Sequence, residues 1–400
     1  MTLSTAKFID FGGAGVGNVT LTYSGTGYAL TISGQITGLQ SFKIHDLRIV
    51  GGTKTPGRHG ILEQSIAPSG YYNNIYISNF DCGFRILNTN TRFISQIRIY
   101  DCNDGMRFES GGVTAPSHIY IHDAYVDWCS TTGIHMGADN KDNFSMNFTN
   151  GAVEFCGVGI QVSGNGRNLA FEDLNMESQS TVDIYLKGFS ADFPHTNVSF
   201  RNVRAFGAGR LANMIKVEYV DNLYLENVYS YNHTGSMILL NVDTTSTNMT
   251  IVNPYIQTTP YLIDQATLLT RAGARLCGTV VKGRSIGTIV YLGTSGLVAG
   301  DVVTLQTSAG RYATTTLQNQ ANAGVVLFPS AGAEKPGVIA IDGLAQVNVK
   351  GPTSLGDTLT TSTTPKKAQV ANTQSDPKVV IGYCQEAINA AGLVYARILK

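Results

Sequence analysis

Apolar and polar residues alternate in a short phrase that recurs nine times between residues 42 and 254. Each copy has the form apolar-x-apolar-x-Asn/Asp, and successive copies lie 22 to 33 residues apart. An alternation with period two buries every second side chain of a β-strand, and a spacing of this size is typical of solenoid repeats. The polar residues that end the phrases are Asp46, Asn79, Asp101, Asp123, Asn150, Asp173, Asn202, Asn227 and Asn253.

A second apolar strand follows each phrase, for example GFRIL at 83–87 and GIHM at 133–136. No stretch shows a sustained helical period, so short strands repeat without helices. Such units coil into a parallel β-helix in which each turn pairs only with its neighbours. The sequence therefore predicts an all-β protein with about nine or more turns, in which the Asn and Asp residues stack at bends as a side-chain ladder.

The repeat fades after the ninth phrase, which divides the chain into three predicted segments. Residues 1–266 form the β-helix, residues 267–278 form a linker, and residues 279–400 form a C-terminal β domain. The last segment has short strands and Gly-Asp turns, and 300–313 and 356–371 look like two versions of one hairpin. We expect a small β-sandwich or β-barrel that caps the β-helix or mediates oligomerisation.

Composition narrows the classes of function. The 400 residues carry 28 basic and 28 acidic side chains, and this zero net charge argues against a nucleic-acid-binding protein. The start MTLSTAKFIDFGG lacks the apolar core of a signal peptide, and no apolar run reaches membrane-spanning length. We therefore expect neither a signal peptide nor membrane insertion.

Two of the six cysteines occupy equivalent positions on adjacent turns. Cys129 and Cys156 each follow the Asp or Asn of their phrase by six residues. Neighbouring strands of a β-helix lie roughly 4.8 Å apart, so we expect the two thiols to stack in the core. A disulfide is the alternative, and the lack of an export signal disfavours it.

The sharpest candidate for chemistry is a column of three carboxylates, Asp127, Glu154 and Glu177, each four residues after its phrase. Positions one and three after the phrase are apolar or small and should face inward, so position four should face outward. The carboxylates would then lie roughly 5 Å apart between neighbours and roughly 10 Å apart across the column. Glycosidases use two carboxylates about 5 Å apart for retention and about 6.5–9.5 Å apart for inversion. The column therefore predicts a glycosidase site with these residues as acid and as base or nucleophile.

Aromatic rings and one cation surround this column. Trp128 and Tyr125 lie beside Asp127, Arg204 is close in the pattern, and Phe206 and Tyr231 continue the column. Aromatic rings can stack on sugars, so these five residues are the candidate substrate-binding set. Two alternatives stay open: solvated carboxylates without chemistry, and a Ca²⁺ site of a polysaccharide lyase in which a basic residue removes the proton. Apart from that ion, no cofactor or metal is expected.

A second outward column belongs to the other strand and is rich in basic residues. Its members on successive turns are Arg85, Arg107, His135, Gln161, Tyr185 and Lys216. Such side chains suit an anionic glycan, and they equally suit the surface of a neighbouring subunit. A third column of Tyr76, Arg98 and Tyr120 is interpreted as ordinary strand surface, because Tyr is a favoured strand residue.

The phrases NNIYISNFDCGFRIL and SQIRIYDCNDGMRFE resemble the right-handed parallel β-helix shared by pectate-lyase-like proteins and bacteriophage tailspikes. The ending LGDTLTTSTTP followed by VVIGYCQEAINAAGLVYARIL is similar to a small β domain of phage tail-fibre proteins. The resemblance implies a homotrimer on the virion surface that contacts other virion proteins and binds or cleaves a bacterial surface polysaccharide. Tailspikes often begin with a virion-attachment head, whereas this chain enters strand-like sequence almost at once. It is thus either a fragment or a protein that docks by another surface.

Two classes of function follow. In the first, the protein is a tailspike-like depolymerase that holds polysaccharide along the β-helix and cleaves it at the carboxylate column. In the second, it is a non-catalytic fibre, adhesin or decoration protein of a phage. The column with its aromatic border favours the first class, and the missing head favours the second.

Overall fold

The computed structural model is all-β and forms two compact units, Met1–Met249 and Thr250–Lys400. The residues that it describes are 2–4, 8–16, 19–34, 41–65, 69–87, 91–109, 118–137, 143–206, 213–231, 238–242, 247–256, 261–263, 275–277, 279–282, 285–293, 296–306, 311–313, 323–328, 335–372 and 380–399. Most of the predicted linker, 267–278, lies outside these residues.

The strands are short, as the repeating phrases predict. In chain order they begin with β1 Thr2–Ser4, β2 Phe8–Gly12, β3 Thr20–Tyr23, β4 Gly27–Gly34, β5 Ser41–Gly51, β6 Arg58–Ser65, β7 Ser69–Ser78, β8 Cys82–Leu87, β9 Thr91–Tyr100, β10 Asp104–Glu109, β11 His118–His122 and β12 Tyr125–Asp127. They continue with β13 Thr132–Met136, β14 Asn143–Glu154, β15 Val158–Glu177, β16 Val182–Gly188, β17 His195–Arg201, β18 Arg204–Phe206, β19 Asn213–Glu218, β20 Val220–Glu226, β21 Tyr229–Tyr231, β22 Ile238–Val242, β23 Thr247–Val252 and β24 Tyr255–Ile256. The remainder are β25 Tyr261–Ile263, β26 Arg275–Cys277, β27 Thr279–Lys282, β28 Ser285–Leu292, β29 Val302–Gln306, β30 Arg311–Ala313, β31 Ala323–Phe328, β32 Lys335–Val349, β33 Thr358–Thr361, β34 Ala368–Val370, β35 Gly382–Cys384 and β36 Gly392–Leu399.

The first unit is a parallel β-solenoid of about seven turns. Its strands stack into three faces. The first face contains β11, β17 and β20, the second contains β12, β18 and β21, and the third contains β8, β10, β13 and β16. The longer strands β5, β7, β9, β14 and β15 run through the bend between the first and second faces. The predicted fold is confirmed, although the expected count of about nine or more turns is slightly too high, and the ninth phrase, at 249–254, falls mostly in the second unit.

Polar residues in the left-handed backbone conformation recur at the bend between the first and second faces. Those of the first unit are Asp46, Asn74, Gln96, Asp123, Asn150, Asp173, Asn202 and Asn227, and Asn253 of the second unit has the same conformation. Asn and Asp tolerate this conformation better than other side chains, which explains their recurrence. The amide of Asn202 donates to Asp173 at 3.0 Å, and the amide of Asn227 donates to Asn202 at 3.2 Å. The predicted ladder is therefore confirmed.

Two of the predicted ladder residues, Asn79 and Asp101, lie at a different bend. They mark the turn from the second face to the third, where Trp128, Phe155 and Ser178 occupy the same left-handed position on later turns. Both bends favour Asn or Asp, and alternating strands precede both, so the same phrase arises at either place. The prediction that all nine Asn and Asp residues occupy equivalent bends is therefore wrong for these two.

The interior of the β-helix is mainly apolar and includes the predicted stack of thiols. Cys129 and Cys156 are buried and free, and Cys102 extends the stack by one turn. A hydrogen bond with Cys156 and burial raise the pKa of the Cys129 thiol. The expectation of stacked thiols is thus confirmed, and the alternative of a disulfide between them is excluded.

One ion pair is enclosed in this interior. Arg92 and Glu63 are both fully buried, and Arg92 Nε donates to the two Glu63 oxygens at 2.7 and 2.8 Å. The Tyr72 hydroxyl also donates to Glu63 at 2.8 Å, and the guanidinium lies 5.2 Å from the centroid of the Phe42 ring. The two charges therefore compensate each other where neither contacts water.

The second unit contains a small closed barrel of five strands and a further sheet. The long strand β32 pairs antiparallel with β28, β31 and β36. The core around β29 and β31 includes Val303, Val326 and Ile339. The predicted C-terminal β domain is therefore confirmed in class.

Candidate functional site

The three predicted carboxylates lie side by side on the second face. In the backbone register Asp127 is opposite Glu154, and Glu154 is opposite Glu177. The apolar neighbours Val126, Val153 and Met176 are fully buried, as expected for the inward positions. We call these three carboxylates the carboxylate column. Neighbouring strands are roughly 4.8 Å apart. At this spacing adjacent carboxylates repel each other and can contact the same substrate.

Asp127 differs from the other two because its side chain is buried, with 5% exposure. The expectation of an exposed carboxylate at this position was therefore wrong. The outward direction of a strand position does not guarantee exposure when neighbouring side chains cover it. Burial, and then the charge of Glu154, raise the pKa of Asp127 to about 6. Its Oδ1 atom is buried and has no hydrogen-bond partner among the described residues.

Glu154 occupies the centre of the column and is held by two neutral donors. The Tyr125 hydroxyl donates to Oε2 at 2.5 Å, and the Asn175 amide donates to Oε1 at 3.2 Å. Burial, and then the hydrogen bond to Glu154, raise the pKa of Tyr125, so this hydroxyl keeps its proton. Burial, and then the charge of Glu154, also raise the pKa of Glu177. The column thus contains carboxyl groups in distinctly different surroundings.

Two aromatic residues beside the column adopt an unfavourable backbone conformation. Trp128 has φ 57° and Phe155 has φ 51°, in the left-handed region that bulky side chains rarely adopt. Their rings stack with centroids 4.9 Å apart, and Trp128 is 50% exposed. Since Asn79, Asp101 and Ser178 share this conformation at the same bend, the observation that favours a binding platform over filling of a loop is the exposure of the indole beside the carboxylates. Phe155 covers one face of the indole, and half of the Trp128 side chain remains exposed to solvent.

The remaining predicted residues around the column are arranged as follows. Phe206 is exposed and lies opposite Glu177 in the register. Arg204 lies opposite Asn175, and its guanidinium is 5.8 Å from the centroid of the Tyr229 ring. Tyr231 pairs with Phe206 through its backbone, and its side chain lies outside the part of the chain that is described.

Sequence reasoning missed two residues that contact the site, Asn175 and Arg98. Asn175 bonds Glu154, and the guanidinium of Arg98 lies 4.9 Å from the centroid of the Tyr125 ring. Both share the outward column two residues before the carboxylates. Tyr120 does not belong to this column, because it pairs with Phe93 on the first face. The predicted grouping of Tyr120 with Tyr76 and Arg98 is thus wrong. That prediction counted positions from the Asn or Asp of each phrase, and this residue lies at the second bend for Tyr76 and Arg98 but at the first bend for Tyr120.

The second predicted column, on the third face, has the expected register. Arg85, Arg107, His135, Gln161, Tyr185 and Lys216 are consecutive partners. Its cations pair with carboxylates: Arg85 with Glu109 at 2.7 Å, Arg107 with Asp104 at 3.0 Å, and Lys216 with Glu218 at 2.7 Å. Lys216 also lies 4.5 Å from the centroid of the Tyr185 ring. These ion pairs reduce the positive field that a glycan would experience at this face.

Among the described residues, no three His, Cys, Asp or Glu side chains converge in a way that could hold a metal ion. Among the same residues, no helix has the length and apolar character needed to cross a membrane.

A first test concerns the buried carboxyl of Asp127. A folded-state pKa of about 6, against an ordinary value of 3.8, means that stability is lost as pH rises from about 4 to about 6, because the folded state binds the proton more tightly. We expect Asp127→Asn to raise the free energy of unfolding at pH 7 by up to about 3 kcal/mol. The variant should also lose less stability than the wild type between pH 4 and pH 6. Urea denaturation at pH 4, 5, 6 and 7 measures both.

The exposed Asp192, which lies in a turn, provides the matched control Asp192→Asn. This variant should follow the wild-type pH dependence. An Asp127→Asn variant with the same loss of stability between pH 4 and pH 6 as the wild type would contradict the assignment.

No family model matches the chain, and no curated protein sequence matches it. Solved structures do resemble it. The enzymatically active domain of tailspike protein 2 of bacteriophage CBA120 has a TM-score of 0.41 at 11% identity, over 95% of this chain and 62% of that domain. The Dettilon tailspike protein has a TM-score of 0.26 at 12% identity, over 99% of this chain and 87% of that one. The head fibre N base of bacteriophage phi29 has a TM-score of 0.22 at 17% identity, over 28% of this chain and 92% of that one. Structures of phage tailspikes are thus among those that this chain is similar to.

Proposed function

We propose that this protein is a phage tailspike or tail-fibre protein that binds a bacterial surface polysaccharide along its β-helix and hydrolyses it at the carboxylate column. The resemblance of its phrases to tailspike sequences supports the virion context. The observation that carries the proposal of hydrolysis is the pair of adjacent carboxyl groups Asp127 and Glu154, one buried with a raised pKa and the other held by two neutral donors. Glycosidases require such a difference between their two carboxyl groups.

The reaction would follow the retaining course. The protonated carboxyl of Asp127 gives its proton to the glycosidic oxygen, while a Glu154 oxygen attacks the anomeric carbon and the bond to the leaving sugar breaks. Water then attacks the anomeric carbon of the glycosyl-enzyme, the Asp127 carboxylate accepts its proton, and Glu154 is released. Adjacent strands place the two carboxyl groups roughly 5 Å apart, which matches the spacing for retention.

The surrounding side chains would bind and orient the sugar. Trp128 presents an exposed ring face beside Asp127, and Phe206 continues the outward column beyond Glu177. Tyr125 and Asn175 fix the Glu154 carboxyl, so its rotation is restricted before a sugar arrives. Glu177 adds negative charge next to Glu154, which favours a developing oxocarbenium ion.

A second candidate function is a non-catalytic virion fibre or adhesin. The observation that favours it is the burial of Asp127, whose Oδ1 has no access to solvent. A general acid must reach the glycosidic oxygen, so cleavage requires that the cover over Asp127 open when a polysaccharide binds. In this alternative the column only contacts the sugar. A Ca²⁺-dependent lyase is a further alternative.

Turnover on purified capsules and lipopolysaccharides distinguishes the three functions. New reducing ends without ultraviolet absorbance of unsaturated uronates are the expected result for a hydrolase. Absorbance of unsaturated uronates that depends on added Ca²⁺ would instead establish a lyase. Binding without either product, on polysaccharides from the bacteria to which the protein adsorbs, would contradict cleavage and support the non-catalytic fibre.

A further inference from the structure

Three exposed aromatic rings stack along the first face, on the consecutive strands β7, β9 and β11. We call them the aromatic ladder: Tyr71, Phe93 and Tyr120. The ring centroids of Tyr71 and Phe93 are 5.0 Å apart, and those of Phe93 and Tyr120 are 5.2 Å apart, with planes within 10° of parallel. Their exposed fractions are 43%, 37% and 43%. Phe93 has a ring of the ladder on each face, whereas Tyr71 has Phe93 on one side and Lys43 opposite it on the other.

A groove of about 420 Å³ lies beside Tyr71 and Phe93 of the ladder. Its volume falls in the usual range for sites that bind small molecules. The groove surface is mainly apolar and aromatic, and hydroxyl, amide and ammonium groups are among its lining. The lining residues are Ser41, Lys43, Tyr71, Tyr72, Asn73, Phe93 and Ser95.

Lys43 gives this groove a positive charge. It lies opposite Tyr71 on the neighbouring strand, on the side away from Phe93. Its partner on the other side in the register is Asp10, whose carboxylate bonds His45 Nε2 at 2.8 Å. Within the described part of the chain, Lys43 forms no ion pair of its own, in contrast to the cations of the third face. Lys43 also lines the groove, which places its positive charge within reach of an anion bound there.

We propose that this groove binds an acidic sugar unit, with the carboxylate of the sugar at Lys43 and the sugar ring against the exposed surfaces of Tyr71 and Phe93 that line the groove. Sugars combine apolar C–H faces with hydroxyls, so an aromatic wall beside Ser41, Asn73 and Ser95 matches both parts. Lys43 selects a sugar that carries a negative charge. The proposal deepens the glycan recognition of the proposed function and rests on it, but the groove is on a different face from the carboxylate column.

Calorimetric binding to the full chain tests this proposal, with Glu154→Gln as the background so that no cleavage occurs. The probes are tetragalacturonate and a hyaluronan tetrasaccharide, with maltotetraose as the neutral chain of equal length. We expect the acidic chains to bind at least about tenfold more tightly than maltotetraose. Lys43→Met should remove that preference, and Tyr71→Ala should weaken binding of all acidic chains.

Two matched controls separate the groove from general effects of charge and ring removal. Tyr120→Ala removes a ring from the other end of the ladder, and Lys187→Met removes an exposed cation from the third face. Both should leave acidic binding within about twofold of the background. Acidic chains that bind no better than maltotetraose, or equal losses in Lys43→Met and Lys187→Met, would overturn the proposal. Because binding is measured in the Glu154→Gln background, it does not depend on turnover. Tight binding of acidic chains would therefore support the groove even if the wild-type protein did not cleave polysaccharide.

Discussion

Hydrolysis of the polysaccharide is expected to fall at least about a thousandfold when Glu154 is replaced by Gln. The amide keeps the size of the side chain and can still bond Tyr125 and Asn175, so the fold should be retained. It cannot attack the anomeric carbon, because its nitrogen and oxygen lack the negative charge of a carboxylate. Reducing-end release under saturating polysaccharide, with circular dichroism to check folding, measures the effect.

The same reaction should depend on pH through Asp127. Its pKa of about 6 means that the carboxyl is protonated below that pH and can act as the acid, so turnover should decline as pH rises above about 6. Asp127→Asn should remove this alkaline decline together with most of the activity.

Glu172→Gln provides the matched control, because Glu172 lies on the first face and pairs with Arg201 at 3.3 Å. Activity of this variant should match the wild type. A folded Glu154→Gln variant that retains more than about a tenth of the wild-type turnover would exclude Glu154 as the nucleophile.

The second large effect concerns stability. We expect Arg92→Met to lower the free energy of unfolding by about 3–5 kcal/mol, because it leaves the fully buried Glu63 without its partner. The Tyr72 hydroxyl that bonds Glu63 is a neutral donor and does not supply the positive charge that Arg92 provides. Denaturation by urea, followed by fluorescence of the protein, measures the change.

Two comparisons establish the cause of this loss. The double variant Glu63→Gln with Arg92→Met removes both charges and should recover at least about half of the lost stability. Arg201→Met removes an exposed guanidinium and should cost no more than about 1 kcal/mol. A double variant as unstable as Arg92→Met would show that lost packing against Phe42, and not the unpaired charge, causes the effect.

Much of the β-helix follows from its alternating phrase. The burial of Val126, Val153 and Met176 confirms the predicted inward positions, and the register of Asp127, Glu154 and Glu177 confirms the predicted column. These predictions are correct because successive side chains of a strand point alternately inward and outward within each turn.

The predictions fail where the structure depends on more than the direction of a side chain in its strand or the spacing of residues along the chain. Asn79 and Asp101 satisfy the phrase but lie at the second bend, because two bends require the same left-handed conformation. The burial of Asp127 depends on side chains from other turns, which spacing does not reveal. The pairing of Arg92 with Glu63 joins two strands of different faces, so no local pattern could indicate it.

The most direct measurement of the proposed chemistry is the anomeric configuration of the first sugar released, followed by proton NMR during the first turnovers. Asp127 and Glu154 on adjacent strands predict that the configuration of the cleaved bond is retained. An inverted first product would contradict that pair and would instead indicate carboxyl groups farther apart, as in Asp127 with Glu177. A polysaccharide that binds to the β-helix and releases no sugar would contradict catalysis at this column altogether.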